Sequence, residues 1–196
     1  MKGDRFSLCV YCGSRAGSRD DYAQAAVEVG QEIGRRGWQL VYGGGNVGLM
    51  GLVADAALRH GGHVVGVIPR TLFEREVAHS SLHEQFVVDT MHQRKQMMAE
   101  RADAFLALPG GIGTLEELYE VWTWRHLGYH DQPIGLLNVA GFYDTLLAFM
   151  RHTVDEGFLS ASQLQALHTG RQAGELLDTL HRQAASASRA EDLRRI

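Results

Sequence analysis

Three segments of the chain bring together residue types that bind anions or stabilise positive charge. The first, residues 43–51, reads Gly-Gly-Gly-Asn-Val-Gly-Leu-Met-Gly, and the second, residues 109–117, reads Pro-Gly-Gly-Ile-Gly-Thr-Leu-Glu-Glu. The third, residues 91–98, carries Arg94 and Lys95 among methionines. Glycine lets the backbone approach an anion closely, and a helix N-terminus supplies amide groups and partial positive charge. Together these segments predict a site for a phosphorylated ligand.

The first segment also matches a dinucleotide-binding motif, since Gly43, Gly45 and Gly48 satisfy G-x-G-x-x-G. That motif expects a carboxylate at the end of the next strand to hold a ribose. The chain has Ile-Pro-Arg there, at residues 68–70, and the glycines follow the second apolar run instead of the first. A bound NAD(P) or FAD is therefore disfavoured. An anion-binding turn and a tight turn without a ligand both remain open.

The second segment predicts a phosphate loop. Gly111 and Gly113 bracket a turn whose amide groups could surround a phosphate, and the hydroxyl of Thr114 adds a donor. No Gly-Lys-Ser/Thr follows, so this is not the loop that binds nucleoside triphosphates. A nucleoside monophosphate or a sugar phosphate fits better than ATP.

Glu117 has two interpretations. Thr114-x-x-Glu117 matches a capping box, in which threonine caps the helix and glutamate reaches back to it. From the spacing alone, capping is favoured. In the functional alternative, Glu117 faces a ligand from the first helical turn, where the helix dipole favours its ionised form. A carboxylate beside a bound ribose would stabilise an oxocarbenium-like transition state or position an attacking water.

Arg94 and Lys95 open a helical pattern that follows two possible capping residues, Asp89 and Thr90. Arginine suits a fixed contact to phosphate, hydroxyl or carboxylate. The alternative is a solvated basic face near a helix end, and spacing alone does not decide between the two.

The elements that must position these residues alternate between strands and helices. Apolar runs predict strands over residues 6–11, 38–42, 63–68, 84–88, 104–108 and 134–138. Helical patterns cover residues 20–36, 47–60, 91–101, 115–127 and 143–156, with a last strand over 164–167 and a last helix over 173–181. This alternation predicts an α/β fold: a single Rossmann-like, doubly wound domain whose mainly parallel sheet is flanked by helices.

In such folds ligands bind beyond the carboxyl ends of the strands. Several glycine-rich turns of this chain fall there, at residues 13–14, 43–45 and 109–111. We therefore expect one crevice lined by backbone amides, with Ser14, Gly44, Gly45 and Gly110 among its binding residues.

Composition limits the partners and the compartment. The 196 residues are 45% hydrophobic and carry a formal net charge of -4, which gives no reason to expect binding to nucleic acid or to a membrane surface. No apolar run reaches the roughly 20 residues that span a bilayer, and no signal-peptide pattern precedes the first strand. We expect a cytoplasmic protein with one domain over residues 1–183 and a flexible tail over 184–196.

No metal and no organic cofactor are expected. The ten histidines show no cluster with ligand spacing. Cys9 and Cys12 form a C-x-x-C pair, but Cys9 lies within a predicted strand, whereas redox pairs of this kind open a helix. A structural role is therefore favoured for both thiols.

The motifs together resemble one known family. The run Met-His-Gln-Arg-Lys at residues 91–95, then Pro-Gly-Gly-x-Gly-Thr-x-x-Glu at 109–117, then Thr-Trp at 123–124, with three glycines upstream at 43–45, are similar to the signature of the LOG ("lonely guy") family. That family comprises cytokinin riboside 5′-monophosphate phosphoribohydrolases, long labelled lysine decarboxylases. The resemblance covers about residues 6–159.

The resemblance implies hydrolysis of the N-glycosidic bond of a purine riboside 5′-monophosphate. It implies that Arg94 and Glu117 are the catalytic pair, and that the enzyme is a homodimer with the region of residues 115–127 near the interface. The substrate-binding residues expected from the resemblance and the crevice are Ser14, Gly44, Gly45, Glu76, Lys95, Gly110, Gly111, Ile112, Gly113, Thr114, Leu115, Glu116 and Thr123. Asn46 stands where the family has a serine, and Ile112 replaces a common tyrosine or leucine.

The residues also bear on two other functions. Decarboxylation with pyridoxal phosphate needs a Schiff-base lysine, and the only lysines are Lys2 and Lys95. A non-catalytic nucleotide-binding or carrier protein on the same fold is the main alternative, but the presence of both Arg94 and Glu117 favours an enzyme.

Overall fold

The computed structural model describes residues 5–73 and 78–187. Its centre is one seven-stranded sheet in the order β4-β3-β2-β1-β5-β6-β7, and every neighbouring pair is parallel. The strands are β1 (Ser7–Tyr11), β2 (Gln39–Tyr42), β3 (His63–Pro69), β4 (Glu84–Val88), β5 (Ala104–Ala107), β6 (Ile134–Leu137) and β7 (Leu167–Gly170).

Helices connect the strands and cover both faces of the sheet. They are α1 (Asp20–Arg35), α2 (Gly48–Arg59), α3 (Arg70–Phe73), α4 (Met91–Arg101), α5 (Ile112–His126), α6 (Asp144–Asp155), α7 (Ala161–Gln165) and α8 (Ala173–Ala184), with a short 3-10 helix at Val139–Gly141. No helix in the described part of the chain is both long and apolar enough to span a membrane.

Two apolar clusters lie on opposite faces of the sheet, because successive side chains of a strand point to opposite sides. In β1, Leu8 and Val10 pack in the cluster that α1, α2 and α8 cover. Cys9 and Tyr11 pack in the other cluster, together with residues of α4, α5 and α6. Burial on both faces explains why the central strands are almost continuously apolar.

The strand order creates a crevice between β1 and β5. The chain moves outward from β1 to β4 on one side, returns to the centre, and moves outward from β5 to β7 on the other. The loops after β1 and β5 therefore leave the sheet in opposite directions, and ligands bind at such a point in open α/β sheets. The predicted α/β, doubly wound architecture is confirmed.

The last strand was predicted in the wrong place. Residues 161–165 form helix α7, and β7 begins at Leu167 instead of ending there. The helix is stabilised by a capping box in which Ser160 and Gln163 bond each other's backbone amides. The capping box keeps Leu164 in a helical turn, and its side chain packs against the second apolar cluster. The short helix α3 was not predicted.

Candidate active site

A cavity of about 530 Å³ opens at the carboxyl ends of β1, β2 and β5. Its lining includes both predicted catalytic residues, Arg94 and Glu117. Six predicted binding residues also line it: Ser14, Gly110, Gly111, Ile112, Gly113 and Thr114. The sheet therefore brings segments that are distant in the sequence to one crevice.

The centre of this cavity is an ion pair between Arg94 and Glu117. Nη1 of Arg94 donates to Oε1 of Glu117 at 2.8 Å, and both residues are over 90% buried. The Nε of Arg94 also donates to the carbonyl oxygen of Val67 at 3.1 Å, at the end of β3. Two contacts on different elements fix the plane of the guanidinium, so the solvated basic face considered for Arg94 is excluded.

Two helix starts position the pair. Arg94 lies in the first turn of α4, which Thr90 caps in a capping box with Gln93. Of the two candidate caps, Thr90 is the one the structure uses. Glu117 lies in the second turn of α5, and the two helices present their side chains to each other across the end of β1.

Gly43 leaves room for the guanidinium. A Cβ atom at this position would overlap Nη2 of Arg94 and lie 3.2 Å from Sδ of Met50. Only glycine therefore lets the turn after β2 pass this close to the ion pair. The sequence predicts a glycine-rich turn here, but not that it makes space for an arginine 51 positions later.

Burial and the ion pair act on Glu117 in opposite directions. Desolvation raises the pKa of the Glu117 carboxyl and the nearby Arg94 guanidinium lowers it, and the net result is a pKa of about 6. The group is thus mostly ionised at neutral pH, yet close to the range where it exchanges protons readily. A buried carboxylate of this kind can stabilise a developing cation or hold a water molecule for attack.

The capping box predicted at Thr114 and Glu117 is wrong. Helix α5 begins at Ile112, three residues before the predicted start at Leu115, and its N-cap is Gly111, which has no side chain to cap it. Thr114 is the third helical residue and packs against Gly110, where an added Cβ would overlap its hydroxyl. Glu117 is consequently too far along the helix to cap it, and its carboxylate meets Arg94 instead.

The start of α5 leaves backbone donors free for a ligand. The first intrahelical bond runs from the amide of Leu115 to the carbonyl of Gly111, so the amides of residues 112–114 have no acceptor within the helix. A Cβ added to Gly111 or Gly113 would meet no atom within 4 Å, so the space beside both residues is open. A helix start that opens into a cavity suits an anion.

Several predicted binding residues lie outside the cavity lining. Lys95 is held by the carboxylates of Glu116 and Glu120, with its nitrogen 2.9 Å from Oε1 of Glu120. Thr123 is exposed, three turns along α5. The remaining ones are Leu115, which packs against the second apolar cluster, Glu116, whose carboxylate bonds Lys95, and Gly44 and Gly45, which are buried in the turn after β2. Glu76 lies outside the described residues.

Gly44 and Gly45 pack the turn after β2 against neighbouring parts of the chain. Gly44 has a φ of +77°, which favours glycine, and a Cβ there would lie 3.2 Å from Cβ of Ile68. Gly45 pairs with Ala78 in an isolated antiparallel bridge. These contacts connect the turn after β2 to β3 and to Ala78.

Sequence reasoning missed other residues of the cavity. Arg15 and Cys12 line it after β1, and an apolar wall consists of Tyr22, Leu72, Met91 and Phe142. The position of Cys12 and Arg15 just beyond β1 was the available signal for these two residues, whereas the apolar residues carry no chemical signal of a site. Cys9 and Cys12 are buried free thiols whose pKa values desolvation raises well above their usual range, as the structural interpretation predicts.

Comparison with solved structures shows a shared fold. The molybdenum cofactor carrier protein MCP from Chlamydomonas reinhardtii matches with a TM-score of 0.71 and 19% identity, over 93% of this chain and 99% of that one. DNA processing protein A from Helicobacter pylori matches with a TM-score of 0.56 and 11% identity, over 90% of this chain and 80% of that one. At these identities the likeness concerns the fold alone.

Comparison of sequences is more specific. A family model described as "Possible lysine decarboxylase" matches residues 50–180. The cytokinin riboside 5′-monophosphate phosphoribohydrolase LOG1 of Arabidopsis thaliana is 51% identical over 173 residues, which cover 88% of this chain and 81% of LOG1. LOG4 of the same plant is 51% identical over 181 residues, covering 92% and 84%. With about half of its residues identical over most of both chains, this chain belongs to the LOG family.

Proposed function

We propose that the protein hydrolyses the N-glycosidic bond of a purine riboside 5′-monophosphate and releases the free base and ribose 5-phosphate. The proposed substrates are N6-substituted adenine nucleotides of the cytokinin type, and AMP as well. One observation carries the proposal: the buried ion pair of Arg94 and Glu117 faces the same cavity as the uncapped start of α5. A charged catalytic group and an anion site are thus adjacent.

In the proposed mechanism, the phosphate binds the free amides at residues 112–114 and holds the ribose beside Glu117. As the bond between C1′ and the base nitrogen breaks, positive charge develops on C1′ and the ring oxygen. The Glu117 carboxylate stabilises this charge or holds the water that attacks it. The base leaves with the electron pair of the broken bond, and the water oxygen forms a bond to C1′. One proton of the water is transferred to the base, so the free base is released neutral.

Arg94 keeps the Glu117 carboxylate ionised and fixed in direction. Because its guanidinium is held at both Val67 and Glu117, the carboxylate cannot rotate freely. Binding of the remote phosphate then contributes to catalysis by positioning the reacting carbon against a preformed group. Glu76 is proposed, from the family resemblance, to contact the base.

A decarboxylase is not supported by the site. Lys95 does not line the cavity and is paired with Glu116 and Glu120, and Lys2 lies outside the described residues. A Schiff base needs an unprotonated amine. Desolvation lowers the pKa of Lys95, but the hydrogen bonds and charges of the two glutamates outweigh it, and the net effect is a raised pKa. A carrier role would leave the buried ion pair without a purpose.

Incubation with a panel of nucleotides and nucleosides tests the proposal. We expect free base from AMP and from N6-substituted AMP, each with an equal amount of ribose 5-phosphate, and release at least about tenfold slower from the matching nucleosides, because charge-assisted bonds to the phosphate are then lost. Chromatography quantifies the base and the sugar phosphate. Equal rates for adenosine and AMP would remove the role given to the start of α5, and no base from any nucleotide would refute the activity.

We further propose a homodimer with the region of residues 115–127 near its interface, where α5 ends and the following turn begins. Trp122 and Trp124 pack inside the chain's own core, but Leu127 and Tyr129 follow them with 59% and 41% of their surface exposed. Large apolar side chains exposed side by side favour association. We expect light scattering at micromolar concentration to give twice the 21.7 kDa mass of the chain, and a monomeric mass would contradict this.

The proposed partners are a nucleotide substrate and a second copy of the chain. The net charge of -4 disfavours nucleic acid and anionic membranes as partners. We propose the cytoplasm as the compartment, where the free thiols of Cys9 and Cys12 stay reduced.

A further inference from the structure

The ion pair at the centre of the cavity supplies no net charge to balance the phosphate of a bound nucleotide. A phosphate monoester carries about -1.5 to -2 charges at pH 7. Among the described residues, three charged side chains line the cavity: Arg15, Arg94 and Glu117. Arg94 and Glu117 neutralise each other at 2.8 Å. Arg15 is therefore the one cationic side chain of this lining whose charge is available to the phosphate.

The loop that carries Arg15 is fixed against the start of α5. The amide of Gly13 donates to the carbonyl oxygen of Pro109 at 3.1 Å, and a Cβ on Gly13 would lie 3.4 Å from Cα of Gly110. Arg15 thus lies two residues from backbone that touches the loop leading into α5. Arg15 and the residues at the start of α5 line the same cavity, so a phosphate on the α5 amides would lie beside the loop that carries Arg15.

The same loop is also held from the side of α2. The amide of Leu49 donates to the carbonyl oxygen of Gly13 at 3.0 Å. A Cβ on Gly48 would overlap the backbone of Ser14 and Arg15, so the loop and the start of α2 are in direct contact. The Arg15 backbone is therefore held on two sides while its side chain is exposed to solvent.

Among the described residues, the side chain of Arg15 has no acidic partner, unlike those of Arg19 and Arg36 in the same part of the sequence. Arg19, four positions on, bonds Asp21 at 3.0 Å, and Arg36 bonds Glu32 and Asp178. Within residues 5–73 and 78–187, Arg15 takes part in none of the ion pairs. An arginine that is exposed at a cavity mouth without a carboxylate is free to form a two-point contact with a phosphate.

We propose that Arg15 binds the 5′-phosphate of the substrate, as a second anion-binding element beside the start of α5. The proposal rests on the nucleotide hydrolase function given above. It assigns Arg15 to substrate binding and to the choice of nucleotide over nucleoside, and it gives Arg15 no part in bond cleavage.

Binding of ribose 5-phosphate, measured by calorimetry, tests this independently of turnover. We expect Arg15→Ala to weaken binding by about tenfold and Arg15→Lys by less, since lysine keeps the charge but loses the two-point contact. Arg19→Ala removes the same charge from the same part of the surface, outside the cavity, and should bind as the wild type does. Thermal melting of each variant confirms that these surface changes leave the fold intact.

Steady-state kinetics add a second readout. In Arg15→Ala, we expect the KM for AMP to rise about tenfold while kcat stays within about threefold, because a contact made equally in the ground and transition states affects KM alone. Wild-type affinity for ribose 5-phosphate in Arg15→Ala, or an equal loss in Arg19→Ala, would overturn the proposal. If the wild-type protein binds ribose 5-phosphate through Arg15 but releases no base from nucleotides, the hydrolase function fails and the phosphate site stands.

Discussion

Glu117→Gln should lower kcat for base release by at least about a hundredfold, equivalent to a barrier increase of roughly 2.7 kcal/mol. Glutamine has the same length and can still accept a hydrogen bond from Nη1 of Arg94, so packing changes little. It lacks the negative charge that, in the proposed mechanism, stabilises the cation developing at C1′. The loss should therefore appear in kcat for AMP, measured by base release under saturating substrate.

The pH profile distinguishes charge from mere positioning. Because the pKa of Glu117 is about 6, wild-type kcat should rise as the pH increases through about 6 and the carboxylate forms. This limb should be absent from the residual activity of Glu117→Gln. Glu175→Gln, an exposed change in the first turn of α8, serves as the matched control and should keep wild-type kcat. A Glu117→Gln enzyme with wild-type kcat would rule out the proposed mechanism, although not the family assignment.

Gly43→Ala should also lower kcat by about a hundredfold, because it displaces the guanidinium of Arg94. The added Cβ overlaps Nη2 of Arg94, whose Nε and Nη1 are already bonded to Val67 and Glu117. The guanidinium must move by about 1 Å, and a misplacement of that size in a catalytic group can cost about a hundredfold in rate. We expect the free energy of unfolding to fall by about 1–3 kcal/mol, as in other overpacked cores.

Gly174→Ala is the control for this substitution. A Cβ on Gly174 meets no atom within 4 Å, and the residue lies inside α8, where alanine is favoured over glycine. This variant should keep full activity and equal or exceed the wild type in thermal stability. Wild-type kcat in a folded Gly43→Ala protein would show that the position of the Arg94 guanidinium does not limit the reaction.

Much of the fold could be predicted because local patterns determine it. Apolar runs between helical patterns identified six strands and their parallel pairing, and glycines beyond the strand ends identified the crevice. The prediction failed where two local signals competed. Leu164 sits in a short apolar stretch that resembles a strand, but the Ser160 and Gln163 capping box makes it helical.

The candidate site depended more on long-range geometry. Arg94 and Glu117 could be proposed as a pair from the family resemblance, but their direct bond joins residues 23 positions apart and depends on how α4 and α5 pack. The helix start at Ile112 was missed because Thr114 and Glu117 have capping-box spacing without forming one. Lys95 was expected in the site, and only the structure reveals the two glutamates that hold it.

Because Glu117 is buried, we expect activity to rise with pH and the folding stability that this residue contributes to fall. Folding raises the pKa of this carboxyl from 4.5 to about 6, so the folded state binds its proton more tightly than the unfolded state does. By linkage, the stabilising contribution of this proton is fully present below pH 4.5 and is lost as the pH rises through about 6. Over the same interval the carboxylate that the reaction needs is formed. The protein therefore gives up part of its folding stability by the same proton release that the proposed mechanism requires.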